Sequence, residues 1–420
     1  MNTSFQNTFT AFKHRNYRIF IAGHATSRVG TWMERTGVSW VVYDMTHSTF
    51  MLGLTIFAAQ FPAFLFSLYG GIVADRFDRR KVILFTQIAS MIQASALAIL
   101  VLGGDTKIWH ILLLIMMLGI INAFDVPARQ SLVHQLIDDP EDLPNAVALN
   151  SSIVNIARLV GPALSGLVIS TLGAGICFSI NAVSYLAVII SILFLKLSPQ
   201  EIKPKTQSTL SEIKEGLDYL KKHRQLAPLT LYIALVSLFV LPYDTLLPEF
   251  AKEMFHGNAQ TYGYIYSSIG MGAFIGTIFL ASLKRGYRQG TVLITNVILL
   301  GISLIFFSFM RYFPVALFIA AVAGFSALTQ STICLTIIQT RSDPDMRGRM
   351  ISLYAMALFG MLPLGSLLAG IISHQIGSST TMLMQGIIAF VIALVFFKSF
   401  TRPETIKKVS IENAEETVAI

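Results

Sequence analysis

Gly71-Ile72-Val73-Ala74-Asp75-Arg76-Phe77-Asp78-Arg79-Arg80-Lys81 places six charged side chains in the seven residues Asp75 to Lys81. Apolar runs flank this cluster on both sides, Phe50 to Val73 before it and Val82 to Leu102 after it. Each run matches the ~20 residues that a bilayer-spanning helix needs. The charges therefore mark a tight turn at a membrane face, and the chain reads outward from that turn as a series of spanning helices.

Composition agrees. The 420 residues are 54% hydrophobic and 13% charged, roughly half the charge of a soluble domain. Hydropathy predicts an all-α polytopic membrane protein with twelve spanning helices, near 17–43, 50–74, 82–103, 108–126, 145–171, 177–197, 228–251, 261–283, 290–310, 314–340, 350–374 and 381–398. The longest polar interval, 198–227, divides them six and six. This gives an N-terminal bundle over 1–197, a linker over 198–227, a C-terminal bundle over 228–398 and a tail over 399–420. In the linker, Thr209 and Glu212 form a capping box, and Leu210, Ile213, Leu217 and Leu220 share one face of a short amphipathic helix. Phe5, Phe9 and Phe12 recur at helical spacing, as in a segment lying along a membrane surface or a frayed tail. No cleavable leader precedes the first helix, which is expected to be retained.

The net charge of +8 does not point to nucleic acid, because the basic residues are divided among short loops. With the N-terminus in the cytoplasm, about 25 of the 31 Lys and Arg fall in cytoplasmic segments. Lys107, Lys252 and Arg311 fall on the opposite face, and Arg28, Arg35 and Arg158 fall inside helices. That bias predicts that both termini are cytoplasmic. Cys177 and Cys334 lie far apart and read as inert apolar thiols. The eight His show no metal-ligand spacing, so no metal or other cofactor is expected. No G-x-x-x-x-G-K-[ST] loop is present to bind ATP, so energy is expected from an ion or substrate gradient, and the chain is not read as an enzyme.

Charges inside a membrane are costly and usually functional. They are Arg28, Glu34 and Arg35 in the first helix, Asp125 in the fourth, Arg158 in the fifth and Asp244 in the seventh. Glu34, midway along its helix, is a candidate proton carrier, the alternative being a fixed ion pair with Arg35 or Arg158. Asp244, between Pro242 and Pro248 where the helix is expected to break, is the second candidate. Arg28, Arg35 and Arg158 would favour an anionic substrate. Trp32, Trp40, Phe239 and Tyr243 are candidate apolar walls, or else packed or lipid-facing. Asp125 and Arg129 share a helix face. The segments Ala163–Gly173 and Leu367–Gly377 each carry Gly, six residues and Gly, as expected of an internal repeat.

The opening turn resembles the G-x-x-x-D-R-x-G-R-R-K signature of the major facilitator superfamily, with Asp78 where that family usually has Gly. Its D-R-F-D-R-R form is similar to that of the subfamily containing the enterobactin exporter. Trp32-Met33, Trp40 to Ser48, Asn122 to Gln130, Leu143 to Ala146, Arg158 to Ala163 and Met346 to Arg349 extend the resemblance through nearly the whole chain. The resemblance implies two pseudo-symmetric six-helix bundles. It implies a cytoplasmic latch of Asp75, Arg79 and Asp125, with Gly71, Arg76, Arg80 and Arg129, holding the outward-open state. Gly161-Pro162 with Gly166 resembles the G-P-x-x-G-G element of antiporters at altered spacing, or else serves close helix packing. The expected function is proton-coupled export of a siderophore or drug-like amphiphile across a bacterial inner membrane, by a monomer. Import or lipid transport on the same fold is the alternative, and a non-transporting sensor is a more distant one.

Overall fold

The computed structural model describes residues 7–197, 209–223, 226–283 and 287–401. Among the described residues the chain is helical throughout, with no strand. The long helices are α1 (Arg15–Thr46), α2 (Thr49–Arg76), α3 (Arg79–Gly103), α4 (Ile108–Val133), α5 (Leu143–Leu172) and α6 (Ala174–Leu193). After the linker come α7 (Ala227–Met254), α8 (Ala259–Ser282), α9 (Gln289–Phe309), α10 (Phe313–Arg341), α11 (Arg347–Ile376) and α12 (Ser378–Thr401). Eleven of the twelve are long and apolar enough to span a bilayer. The exception is α1, which carries Arg28, Glu34 and Arg35.

The helices pack in two sets. In the first, α1 lies against α5 and α6, α2 against α4, and α3 against α4 and α6. In the second, α8 lies against α10, α9 against α10 and α12, and α7 against α11. The sets meet along two seams, α5 with α8 and α2 with α11. Both seams rest on glycine. A Cβ on Gly166 would lie 2.6 Å from the Ala259 carbonyl oxygen, and one on Gly263 2.5 Å from that of Pro162. On the other seam, a Cβ on Gly370 would lie 2.5 Å from the Thr49 carbonyl oxygen, and one on Gly53 2.5 Å from that of Ser366. Small residues let backbones approach this closely in a membrane. The repeated pattern in the sequence thus has one job in each half: Gly166 and Gly370 make the crossings, while Gly173 (φ 89°) and Gly377 (φ 87°) cap the helices in a conformation other residues rarely adopt.

Several expected features shift. Helix α4 runs to Val133, seven residues beyond the predicted stop at 126, because Pro127 is accommodated within it and Ala128, Leu132 and Val133 are buried. Helix α7 breaks as Pro242 and Pro248 predict: an α-helical segment to Phe239, a 3-10 segment over Leu241–Leu246 and a π-helical turn over Phe250–Met254. Asn7–Lys13 forms a 3-10 turn packed on the bundle, with Phe12 against Tyr17 and the Ala11 N–H donating to Asn145; Phe9 is exposed and Phe5 lies outside the described residues. The linker helix Thr209–Lys222 docks on the start of α11 through a Glu215–Arg349 ion pair and a Tyr219–Asp343 hydrogen bond. Of its expected apolar face, Leu220 is buried and Leu217 exposed. The side chains of Thr209, Leu210, Glu212 and Ile213 lie outside the described residues, as does the tail beyond Thr401.

Gly166→Val and Gly370→Val should each lower the thermal unfolding midpoint of the purified protein, because a side chain driven into a backbone carbonyl costs about 1–3 kcal/mol. Gly71→Ala is the control, since nothing lies within 4 Å of a Cβ there. Equal midpoints for all three variants would show that the seams do not bear the fold.

Candidate functional site

A cavity of about 1010 Å³ lies between the two helix sets. Its walls come from α1, α2, α4 and α11, and it runs from Arg35 and Gln60 at mid-helix to Leu68, Pro127 and Asp345 near the face that carries the α2–α3 turn. The opposite face is closed. There Asp44 at the end of α1 meets Lys252 of α7 at 2.5 Å, Tyr43 donates to Glu253 at 3.4 Å, and Trp40 stacks on Tyr262 with centroids 6.3 Å apart. Both glycine seams lie on this closed side, so the helices diverge toward the other.

Helix α1 supplies the site, and its glycines explain how. Gly23, Gly30 and Gly37 recur every seven residues and press against Ala187, Asn181 with Ser184, and Phe178 of α6. Successive helical residues point about 100° apart. Glu34, one turn beyond Gly30, therefore enters the bundle, while Arg35 turns to the cavity. Glu34 is 2% exposed. Its carboxylate accepts from Gln93 of α3 at 3.1 Å and from the Asn181 amide of α6. Neither Arg35 nor Arg158 pairs with it, so the fixed ion pair weighed from the sequence does not form.

Arg35 lines the cavity's deep end, and behind it lie other charges. The guanidinium carbons of Arg35 and Arg158 lie 5.2 and 5.5 Å from the Trp32 ring centroid, within cation–π range. Gly161 makes room for this, because a Cβ there would lie 2.5 Å from Trp32 Cβ. Arg35 Nη2 stands 3.8 Å from Asp244 Oδ2, the same oxygen that accepts from the Tyr266 hydroxyl at 3.0 Å. The broken segment of α7 thus carries Asp244 across to α1. Arg158 has no carboxylate partner among the described residues, and its buried Nε has no hydrogen-bond partner. Lower in the cavity, Arg28 donates to His24 at 3.1 Å and lies within electrostatic reach of Asp125 and Arg129.

Other expected residues fall elsewhere. Tyr243 is buried beside a small apolar void rather than on the main cavity, Trp40 packs on Tyr262, and Phe239 faces outward. Asp75, Arg79 and Asp125 are not together in this open-faced state. Asp125 is held by Arg129 at 2.5 Å and by Thr86 and Gln87, both at 2.9 Å. Arg79 donates to the Ala74 and Ser131 carbonyls and Arg80 to that of Leu193, while Asp75 makes no hydrogen bond or ion pair among the described residues. Arg76 is exposed. Sequence reading passed over Tyr266, Asn181, Gln93 and the Asp44–Lys252 pair. Nothing in their spacing marks them, since each acts through a residue on a distant helix.

Two packed helix sets around a central cavity closed at one face make a transporter of the major facilitator type. Residues 6–418 match the transmembrane secretion effector family, and the chain belongs to it. It is 26% identical to the staphyloferrin A transporter of Staphylococcus aureus, over 88% of this chain and 92% of that one. It is 23% identical to macrolide efflux protein A of Streptococcus pyogenes, over 92% and 96%. Solved structures of like fold include the nucleoside transporter NupG (TM-score 0.71, 15% identity, 92% of this chain and 99% of that one). Another is a bacterial homologue of the human lysosomal transporter Spinster, inward-facing and unoccupied (TM-score 0.67, 15% identity, 93% and 99%).

Removing the closing ion pair should open the sealed face. Lys252→Met is expected to increase maleimide labelling of a cysteine placed at Thr46 by a few-fold, the scale of a partly exposed ion pair. Unchanged labelling would assign closure to the glycine seams alone.

Proposed function

We propose that this protein is a secondary transporter of the bacterial inner membrane that exports an anionic amphiphile, siderophore-like or drug-like, in exchange for protons by alternating access. One observation carries the reading: a cavity of about 1010 Å³ is lined by Arg28 and Arg35, and the Arg35 guanidinium at its deep end faces a single carboxylate, that of Asp244, across 3.8 Å. Arginine binds carboxylates through several donors, and Trp32 and Tyr266 offer apolar surface beside it. The relatives named for a siderophore and for macrolides fit an amphiphilic cargo. The excess of basic residues on the open face makes that face cytoplasmic, so the cavity receives cargo from inside. The chain divides functionally at the linker, with 1–197 and 228–398 as the rocking units. Asp75, Arg79 and Asp125 approach one another when the cytoplasmic face closes.

Glu34 is the proposed coupling acid. It has two amide partners and no cation, an arrangement that can satisfy the carboxyl with or without its proton. The Gln93 Oε1 atom is buried without a partner and so is available to a protonated carboxyl. Glu34→Gln is expected to abolish uphill transport into inverted vesicles under an imposed pH gradient while leaving downhill exchange measurable. Retention of uphill transport would move coupling to Asp244.

Asp75→Asn should lower transport without lowering membrane-inserted protein, and it should shift cysteine accessibility toward the inward-open pattern. Normal transport with an unchanged accessibility pattern would remove the latch.

A further inference from the structure

Arg28 and Arg35 stand seven residues apart on α1, and both line the cavity. Seven residues wind a helix almost exactly twice, so the two side chains leave α1 within about 20° of one direction and about 10 Å apart along its axis. Neither is spent on a carboxylate. Arg28 donates from Nε to the His24 ring and forms no ion pair among the described residues. The acid within its electrostatic reach, Asp125, is already held by Arg129, Thr86 and Gln87. Arg35 is 42% exposed, and Asp244 at 3.8 Å is too far away to accept a hydrogen bond from it. Apart from these two arginines, the charged residues lining the cavity are Asp345 and Arg349 at its mouth. Thr31 lies between the arginines on α1, and Ala59, Ala63 and Val126 of α2 and α4 are part of the uncharged lining.

We propose that the cargo carries two anionic groups held about 10 Å apart by an apolar spacer, one taken by Arg35 at the deep end and the other by Arg28 two helical turns nearer the open face. This rests on the anionic-cargo reading above and narrows it. Each guanidinium keeps donors in the fork geometry that suits a carboxylate or sulfonate. Because both are mounted on one rigid helix, the pair selects by length as well as by charge. A shorter dianion reaches one arginine at a time; a longer one must bend or leave one charge against uncharged lining. Once the first group is bound, the second binds intramolecularly, so a matched dianion gains far more than the doubled chance of meeting either arginine.

The test is calorimetric binding to the purified full-length protein. The probes are the para-disulfonates of benzene, biphenyl and terphenyl, which are rigid and fully ionised, with biphenyl para-monosulfonate and the neutral biphenyl para-sulfonamide. The biphenyl disulfonate holds its charges about two helical turns apart, the benzene compound holds them closer and the terphenyl compound farther. The parent should bind the biphenyl disulfonate about tenfold more tightly than the monosulfonate or either other disulfonate, the scale of one charge-assisted contact. Arg28→Gln should erase that advantage while still binding the monosulfonate through Arg35; Arg28→Lys, which keeps the charge, should retain part of it. A parent that ranks the disulfonates simply by ring count, or binds them no better than the monosulfonate, overturns the proposal and leaves the anionic-cargo reading standing. An Arg28→Gln protein with the parent's preference does the same. If that variant does not fold, the length series on the parent decides by itself. A parent that binds none of the sulfonates, or binds the sulfonamide as tightly as the monosulfonate, defeats the anionic-cargo reading and the proposal with it.

Discussion

Four glycines set the geometry on which everything else depends. Gly53 with Gly370, and Gly166 with Gly263, bring backbones of opposite helix sets so close that any added carbon would meet a carbonyl oxygen. In a bilayer, where lipid is as apolar as leucine, such contacts hold helices together by dispersion and fit rather than by exclusion of water. Because both crossings lie toward one face, the helices are pinned there and diverge at the other. The cavity, its opening and its closed end are all consequences of where the glycines sit along α2, α5, α8 and α11.

A second glycine stripe, on α1, sorts charges. Gly23, Gly30 and Gly37 press α1 against α6, which fixes the rotation of the helix. Glu34 and Arg35, adjacent in sequence, are thereby sent to different environments. One is sealed among amides; the other lines the cavity opposite Asp244. A carboxylate and a guanidinium that neighbour each other on a helix are not thereby paired, and here their separation leaves Glu34 behind α1 with Gln93 and sets Arg35 against Asp244.

The break in α7 completes the site. Pro242 and Pro248 each remove a backbone donor, and between Phe239 and Met254 the regular α-helix gives way. The resulting 3-10 and π-helical turns carry Asp244 toward α1 at the cavity's end and Lys252 and Glu253 toward α1 at the closed face. One irregular helix therefore supplies contacts both at the deep Arg35–Asp244 pair and at the closed face, a few residues of backbone apart.

The sequence by itself determined the helical spans, the six-and-six division of hydropathy, the proline break and the family, because these follow from local hydrophobicity, backbone chemistry and motif. It also singled out the intramembrane charges, since any ionised group in so apolar a chain stands out. It did not determine their partners. Arg35 with Asp244 is separated by more than two hundred residues, and Glu34 reaches Gln93 and Asn181 only because α1, α3 and α6 pack together. The extension of α4 past Pro127 was also hidden, because proline argues for a stop and only tertiary burial of Leu132 and Val133 outweighs it. Pairing between distant helices depends on rotation and approach, which glycine contacts set in three dimensions and which no spacing along one helix encodes.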